Sequence, residues 1–560
     1  MATFSPVGRR IRNAQRYVRV LEVLARHGFA DFAEQIGLGG LIEKGREILG
    51  GAPGPSEVPR PVRVRTVLEE LGPTYVKLGQ ILSTRPDLIP AEWADEFKTL
   101  QNGVPGVEYE EIEKILEQEF GARLPKLFRS IQKKPLAAAS MAQVHRAVLH
   151  DGARIVLKIL RPGIRDVVQA DMEILRQLAE LAEGHFKDLG YSPTAVVDEF
   201  AKEIAKELDL AHEGRSTDRL RNFFEDDHEV VFPKVYWEAT TQSVLALQEI
   251  RGKVFTNLNP ETLDDETRRK LVENGTRAVF RQCLELGFFH ADPHPGNLIA
   301  LPKGRIAFID CGMTGEIDTR TARQLADLVS GVVGGDLDRV MEVVGALGDV
   351  PAEKLDDRTL RNDVNTIVSQ FQNTSLDQLD LGKLLSEFFA TLRVNRIQCP
   401  ADLMFLIKAL TTIESVGRWL DPTFPLAEFV RPFVEKLVEK RYSFSALRGR
   451  AQKSLLSYLE LAEDLPAELR SLLTQVRRNR FAINLEHRGL TRLTHTIEHA
   501  SRNISFALII SAMLVGSSIL ILAARNAGMG ALTAIGVAGF AASVVLVIAM
   551  VLTNRRLKDE

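Results

Sequence analysis

The chain has 560 residues, 45% hydrophobic and 26% charged, room for several domains at roughly 150 residues each, and a composition that excludes a disordered or collagen-like polymer. Its 71 basic and 74 acidic residues leave a net charge of -3, so no global field draws it to nucleic acid, which is not expected as a partner. The three cysteines, at 283, 311 and 399, are too few and too widely spaced for a disulfide framework or a usual zinc site, which suits a reducing compartment.

The first thirty residues carry Arg9, Arg10, Arg12, Arg16, Arg19 and Arg26 against Glu22, interleaved with Ile11, Tyr17, Val18, Val20, Leu21, Val23 and Leu24. This pattern fits a basic amphipathic helix on an anionic lipid surface, a helix packed on the body by its apolar stripe, or an organellar transit peptide. No apolar core of a secretory signal peptide is seen. The Pro/Gly cluster at 50–59 reads as a linker. From Arg63 to Phe120 helical periodicity prevails, interrupted by Pro86, Pro90 and Pro105. Strand-like apolar runs then appear at 155–159, 243–247 and 306–309, with a helix expected from Pro193. After about Gly315 helical patterns continue to Leu490, broken at Pro400, Pro422 and Pro425.

The densest chemistry lies in His290-Ala-Asp292-Pro-His294-Pro-Gly296-Asn297, followed by the run 306–309 and Asp310-Cys-Gly312. A carboxylate at Asp292 can orient or deprotonate an attacking oxygen, and Asn297 and Asp310 supply hard oxygen ligands of the kind Mg²⁺ needs to bridge ATP phosphates. Upstream, Lys158 ends the run 155–159, and a buried lysine needs a partner; Asp209 and Glu213, near the end of the helix from Pro193, are the candidates. His290 and His294 are expected to bond the loop backbone, and Cys311 to fill apolar space.

At the C-terminus, residues 503–524 and 526–554 contain no charge, with Arg525 between them. Each core, at about 1.5 Å per residue, covers roughly the 30 Å of a hydrocarbon layer, so two spans joined by a tight turn at 525–530 are expected. Arg477, Arg478, Arg480, Arg488, Arg492 and Arg502 before the hairpin and Arg555, Arg556 and Lys558 after it place both outer ends on the cytoplasmic side, with the body.

Further motifs make the sequence resemble the UbiB-type atypical protein-kinase-like family. Lys77-Leu-Gly79-Gln80 is similar to its KxGQ signature, Ala137-Ala138-Ala139-Ser140-Met141-Ala142-Gln143-Val144 to its Ala-rich nucleotide loop, and Glu207-Leu-Asp209 to its ExD motif. The resemblance covers roughly 63–440. It implies an α+β, protein-kinase-like bilobal fold with an N-terminal helical extension and a C-terminal transmembrane helical hairpin. The boundaries expected are 1–60 for the basic segment and linker, 61–120 for the KxGQ extension, 121–250 and 251–440 for the two lobes, 441–502 for a juxtamembrane region and 503–554 for the hairpin.

The resemblance assigns Lys158 and Glu213 to the ion pair of the small lobe, Asn297 and Asp310 to metal, Asp292 to the catalytic carboxylate, and Gln248-Glu249-Ile250 to the hinge beside adenine. Lys77 and Glu207 are implied to meet where a protein kinase would seat its peptide, disfavouring protein phosphorylation. The implied activity is a Mg²⁺-dependent ATPase that supports ubiquinone biosynthesis at a bacterial inner membrane. A small-molecule or lipid kinase and a nucleotide-binding scaffold are the alternatives. Expected partners are anionic membrane lipid and an isoprenoid quinone precursor or the enzymes that process it, with a homo-oligomer left open.

Overall fold

The computed structural model describes residues 6–29, 58–442 and 490–556, apart from 84, 86–87, 101–104, 186–191, 349, 373–379, 396, 398–399 and 527–529. Most of the linker at 50–59, Pro86, Cys399, the arginines at 477–488, Lys558 and the turn at 527–529 therefore lie outside the described residues. The chain divides into two compact units, 1–450 and 451–560.

In the first unit the helical extension comprises α1 (Pro6–Arg26), α2 (Arg60–Leu71), α3 (Pro73–Leu82), α4 (Ala91–Phe97) and α5 (Tyr109–Phe120). It leads into β1 (Phe128–Ile131), β2 (Ala137–Ala138), β3 (Ala142–Leu149) and β4 (Arg154–Leu160). Burial alternates along β4: Ile155, Leu157 and Ile159 are fully buried on one face and Val156, Lys158 and Leu160 take the other. The first face packs with Ile112, Leu116 and Phe120, one stripe of α5. Each such side chain removed from water stabilises by roughly 1.5–3 kcal/mol. Antiparallel pairing with β3 and with the strand Val244–Gln248 sets Lys158 opposite Val144 and Leu245, and β1 and β2 complete a five-stranded sheet.

The opposite face shares a second core with α1, α2, α3, α6 (Ile164–His185) and α7 (Pro193–Glu207). The apolar stripe of α1 is thus packed on protein, with Val20 and Val23 buried. Arg16 bonds the buried Asp171 of α6 at 2.6 Å and the Leu71 carbonyl at 2.6 Å. Of the three readings of the N-terminal segment, the packed stripe is the one these contacts carry.

After α8 (Leu210–Phe223) comes β5 (Val230–Val231), then the sheet strand already described, β6 (Val244–Gln248), and β7 (Lys253–Val254) and α9 (Asp265–Phe280). The short strands β8 (Phe288–His290), β9 (Leu298–Ala300), β10 (Ile306–Phe308) and β11 (Thr314–Glu316) follow. β5, β10, β9 and β7 form one sheet and β8 and β11 another, so the loop from 291 to 297 is held between two sheets. The largest core joins these strands to α9, α10 (Thr319–Gly334), α11 (Leu337–Gly348), α12 (Arg358–Phe371), α13 (Leu381–Val394), α14 (Ala401–Leu420) and α15 (Leu426–Tyr442).

The second unit contains α16 (Leu490–Asn526) and α17 (Gly530–Arg556). Gly536 lies against Ile521 and Gly539 against Ser517, so the two helices run antiparallel with small residues at their contact. Among the described residues one segment, Ile504–Ala523, is long and apolar enough to cross a membrane; the apolar stretch of α17 is the shorter Ala534–Val547. Of the two spans expected, the first therefore has the length of a crossing helix, and Ala534–Val547 is the part of the second whose side chains lie within the described residues.

Candidate active site

Lys158 leaves β4 on the face away from α5. Its Nζ donates to both Glu213 oxygens, at 2.9 and 2.8 Å, and to Asp310 Oδ2 at 3.2 Å. Of the two carboxylates considered for Lys158, Glu213 makes the pair, and it comes from a different helix than expected. α7 stops at Glu207, and α8 starts afresh with Asp209 as its cap, Oδ1 accepting from the Ala211 N–H at 3.1 Å. Arg215 takes the other Asp209 oxygen at 3.1 Å. Asp209 is thus a helix cap, and the break it makes starts the helix that carries Glu213 to Lys158.

Burial opposes the charge of Lys158, yet Asp310 and Glu213 outweigh it and hold the ammonium well above its ordinary pKa. Burial pushes the Glu213 carboxyl up to about 7 against the pull of Lys158. Burial would also raise Asp310, but Lys158 and the Gly312 N–H, donating to Oδ1 at 3.1 Å, hold it well below the usual carboxylate range. A Cβ on Gly312 would stand 3.2 Å from Asp310 Oδ1 and 3.3 Å from Glu213 Oε2, so a side chain there would crowd both carboxylates.

Mg²⁺ takes one or two protein oxygens and fills its remaining positions with phosphate and water. Asp310, its side chain 45% exposed, and Asn297 fit that donor set. Asn297 Nδ2 donates to the Asp292 carbonyl at 3.1 Å, which ties its amide to the 291–297 loop. His290 Nδ1 accepts from the Asp292 N–H at 3.2 Å and His294 Nδ1 from the Gly296 N–H at 2.9 Å, so both histidines serve the loop backbone as expected. Cys311 is fully buried with its thiol pushed well above the ordinary value by burial, a filler and not a nucleophile.

The KxGQ helix α3 brings Lys77 to Glu207, Nζ to Oε2 at 2.6 Å. Burial opposes the lysine's charge, but Glu207, with Asp310 and Asp292 beyond it, raises its pKa. Gly79 permits the approach of α3 to its neighbours: an added Cβ would lie 2.3 Å from the Leu100 side chain and 2.7 Å from that of Leu68. Gln80, on the same motif, donates to the Leu100 carbonyl at 3.3 Å. The segment after α3 is tied to both lobes, through Arg85 to Glu199 of α7 at 2.6 Å and through Arg393 of α13 to the Ile89 carbonyl at 2.7 Å.

The alanine run is a β-hairpin and not a loop throughout. Ala137 and Ala138 pair with Val144 and Gln143, leaving Ala139-Ser140-Met141 as the turn before Ala142. Ser140, Met141 and Ala142 are buried. Gln143, expected at the nucleotide, accepts from the Val107 N–H at 2.8 Å and donates to the Val107 carbonyl at 3.1 Å. Arg161 bridges the Ala139 and Pro105 carbonyls at 2.9 and 3.0 Å, so the chain leaving the extension is fastened to this turn. Gln248 ends β6; Glu249 follows, paired with Arg146 at 2.8 Å, and Ile250 is half-buried.

One residue at the site is not foreseen by the motifs. Lys408 of α14 places Nζ 2.9 Å from Asp292 Oδ1. Its signal was a single lysine inside Leu403-Met-Phe-Leu-Ile-Lys408-Ala-Leu410, where a charge on an apolar helix demands a partner.

The model of the ABC1 atypical kinase-like domain matches residues 99–344, that of the UbiB helical domain 364–425, and that of the ABC1/UbiB kinase-like C-terminal domain 488–556. A probable protein kinase UbiB from Pseudomonas putida is 33% identical over 429 residues, 75% of this chain and 78% of that one. The chain belongs to the UbiB-type atypical kinase-like family. An uncharacterized Synechocystis protein is similar over more of the chain, 31% identical over 82% of it and 79% of its own length. A chloroplastic Arabidopsis protein, ACTIVITY OF BC1 COMPLEX KINASE 7, is 33% identical over 67% of this chain and 54% of its own. In this UbiB-type chain Lys158, Glu213, Asp292, Asn297 and Asp310 all fall inside the ABC1 match, whereas Lys77 precedes it and Lys408 lies in the helical domain.

Proposed function

We propose that this UbiB-type protein is a membrane-anchored, Mg²⁺-dependent ATPase that supports isoprenoid quinone biosynthesis. The observation that carries the reading is Lys158 held between Glu213 at 2.8 Å and Asp310 at 3.2 Å, the arrangement that fixes a lysine for α and β phosphates and a carboxylate for metal. Magnesium, when bound, neutralises the charge that builds on the transferring phosphoryl group. Asp292 orients the attacking water and accepts its proton. Ala137 to Ala142 border the nucleotide, with Gln143 bracing the turn through Val107, and Gln248, Glu249 and Ile250 lie beside adenine. Lys77, paired with Glu207, stands on the acceptor side, which disfavours a protein substrate.

The apolar helices at 503–554 form a two-pass hairpin with both outer ends and the kinase-like body on the cytoplasmic side, consistent with Arg502, Arg555 and Arg556 at the outer ends. The client is an isoprenoid quinone precursor or the enzymes that act on it, and anionic lipid is the surface. The test is phosphate release from ATP and Mg²⁺ by the full chain in anionic liposomes, with Asp310→Asn as control. Turnover lost in the variant is expected. Equal release by both proteins would overturn the ATPase, and normal quinone levels without precursor accumulation after gene deletion would remove the pathway.

A further inference from the structure

The helical domain grips the catalytic loop at two points. Asp402, in the first turn of α14, accepts from the Glu316 N–H at 3.1 Å. Glu316 belongs to β11, which pairs with β8, the strand that runs directly into Asp292. Six residues further along α14, Lys408 reaches Asp292 itself at 2.9 Å, both side chains about one-quarter exposed, at 23% and 26%. Between and around them Leu403, Met404, Phe405, Leu406, Ile407, Ala409 and Leu410 are buried, so the helix is fixed in the largest core and the lysine has a defined origin. An ammonium on so apolar a helix is tolerated where a carboxylate meets it.

We propose that Lys408 is a positioning residue for Asp292, so that the catalytic centre of this protein is shared between its kinase-like and helical domains. Lys408 holds Oδ1 and leaves the second carboxylate oxygen to the attacking water. It also keeps a positive charge beside the site where phosphoryl charge develops. Asp292 is faced by Lys408 from α14, by His290 and His294 from its own loop, and across the site by Lys77 from α3; burial would raise its pKa, and Lys408 first and the histidines next hold it below the ordinary value. The sharing also gives a physical reason for the helical domain's place in the fold: without α14 the loop loses its hold on β11 and its cation together.

This inference rests on the ATPase reading for its kinetic arm and is independent of it in the other. Full chain in anionic liposomes is compared as wild type, Lys408→Ala and Lys408→Arg. In Lys408→Ala, kcat for ATP is expected to fall about tenfold to a hundredfold, as for a misplaced catalytic group, with KM little changed; Lys408→Arg restores most of the rate. Amide hydrogen exchange across 290–298 is expected to quicken in Lys408→Ala and to return towards wild type in Lys408→Arg. Wild-type kcat and wild-type exchange in Lys408→Ala would overturn the proposal. If the wild type itself releases no phosphate, the ATPase fails alone, and exchange across the loop still decides for or against Lys408.

Discussion

Glu213 answers two opposed demands. It must be ionised to hold Lys158, yet burial pushes its carboxyl from 4.5 to about 7. A carboxylate raised in the folded state contributes stability that is fully present below the unfolded value and is lost as pH rises through the folded one, so the window here is pH 4.5 to about 7. Replacing it by Gln removes that dependence. The Tm advantage of wild type over Glu213→Gln should therefore shrink as pH rises from 4.5 to about 7, which a thermal-melt series would read; a constant difference would place the Glu213 titration elsewhere. Asp310 carries the opposite sign: held below its ordinary value, it supports the fold above pH 3.8 and withdraws that support below. Lys158, Asp292, Asn297 and Asp310 stand out as candidates by residue type and spacing alone. Residue type alone leaves two carboxylates for Lys158, and the family resemblance points to Glu213; the separate helix that carries it is not legible, because Leu208-Asp209 breaks the helix without a Pro or Gly to mark it.

Among the elements, β4 does the most to place the site. Its alternation puts Leu157 into the α5 core, fully buried, and the next residue, Lys158, into the site. Leu157→Ala should destabilise the protein by about 2–5 kcal/mol, read as a lowered Tm, and should loosen Lys158 as well. On the KxGQ helix, Gly79→Ala sets a methyl 2.3 Å from the Leu100 side chain. The cost expected is about 1–3 kcal/mol, the range for overpacking a filled core, with α3 displaced and Lys77 drawn from Glu207. An unchanged Tm in that variant would mean that Leu100 and Leu68 have room to move. Apolar runs announced β4, β6 and β10, since a short apolar run bounded by polar residues suits a buried strand. The alanine run carried no such signal, and its hairpin depends on partners at Val144 and Gln143 that only pairing supplies.

For the whole molecule, the membrane segment and the body make separable predictions. Deleting 503–554 should move the protein from the membrane fraction to the soluble one under carbonate extraction; retention would assign the anchoring to the body. ATP turnover should rise on anionic vesicles and fall as salt is added, because screening shortens the reach of the basic segments, and a lipid-independent rate would count against that coupling. By itself the sequence determined the family, through motifs whose spacing survives any packing detail, and the apolar length of Ile504–Ala523. Only the tertiary structure decided that α1 packs on protein, that Gln143 holds Val107, and that Lys408 stands beside Asp292. These three rest on contacts between residues 36 to 155 positions apart in the chain. Local pattern encodes which residues seek burial or a partner, and the partner itself is chosen by how the helices and sheets pack.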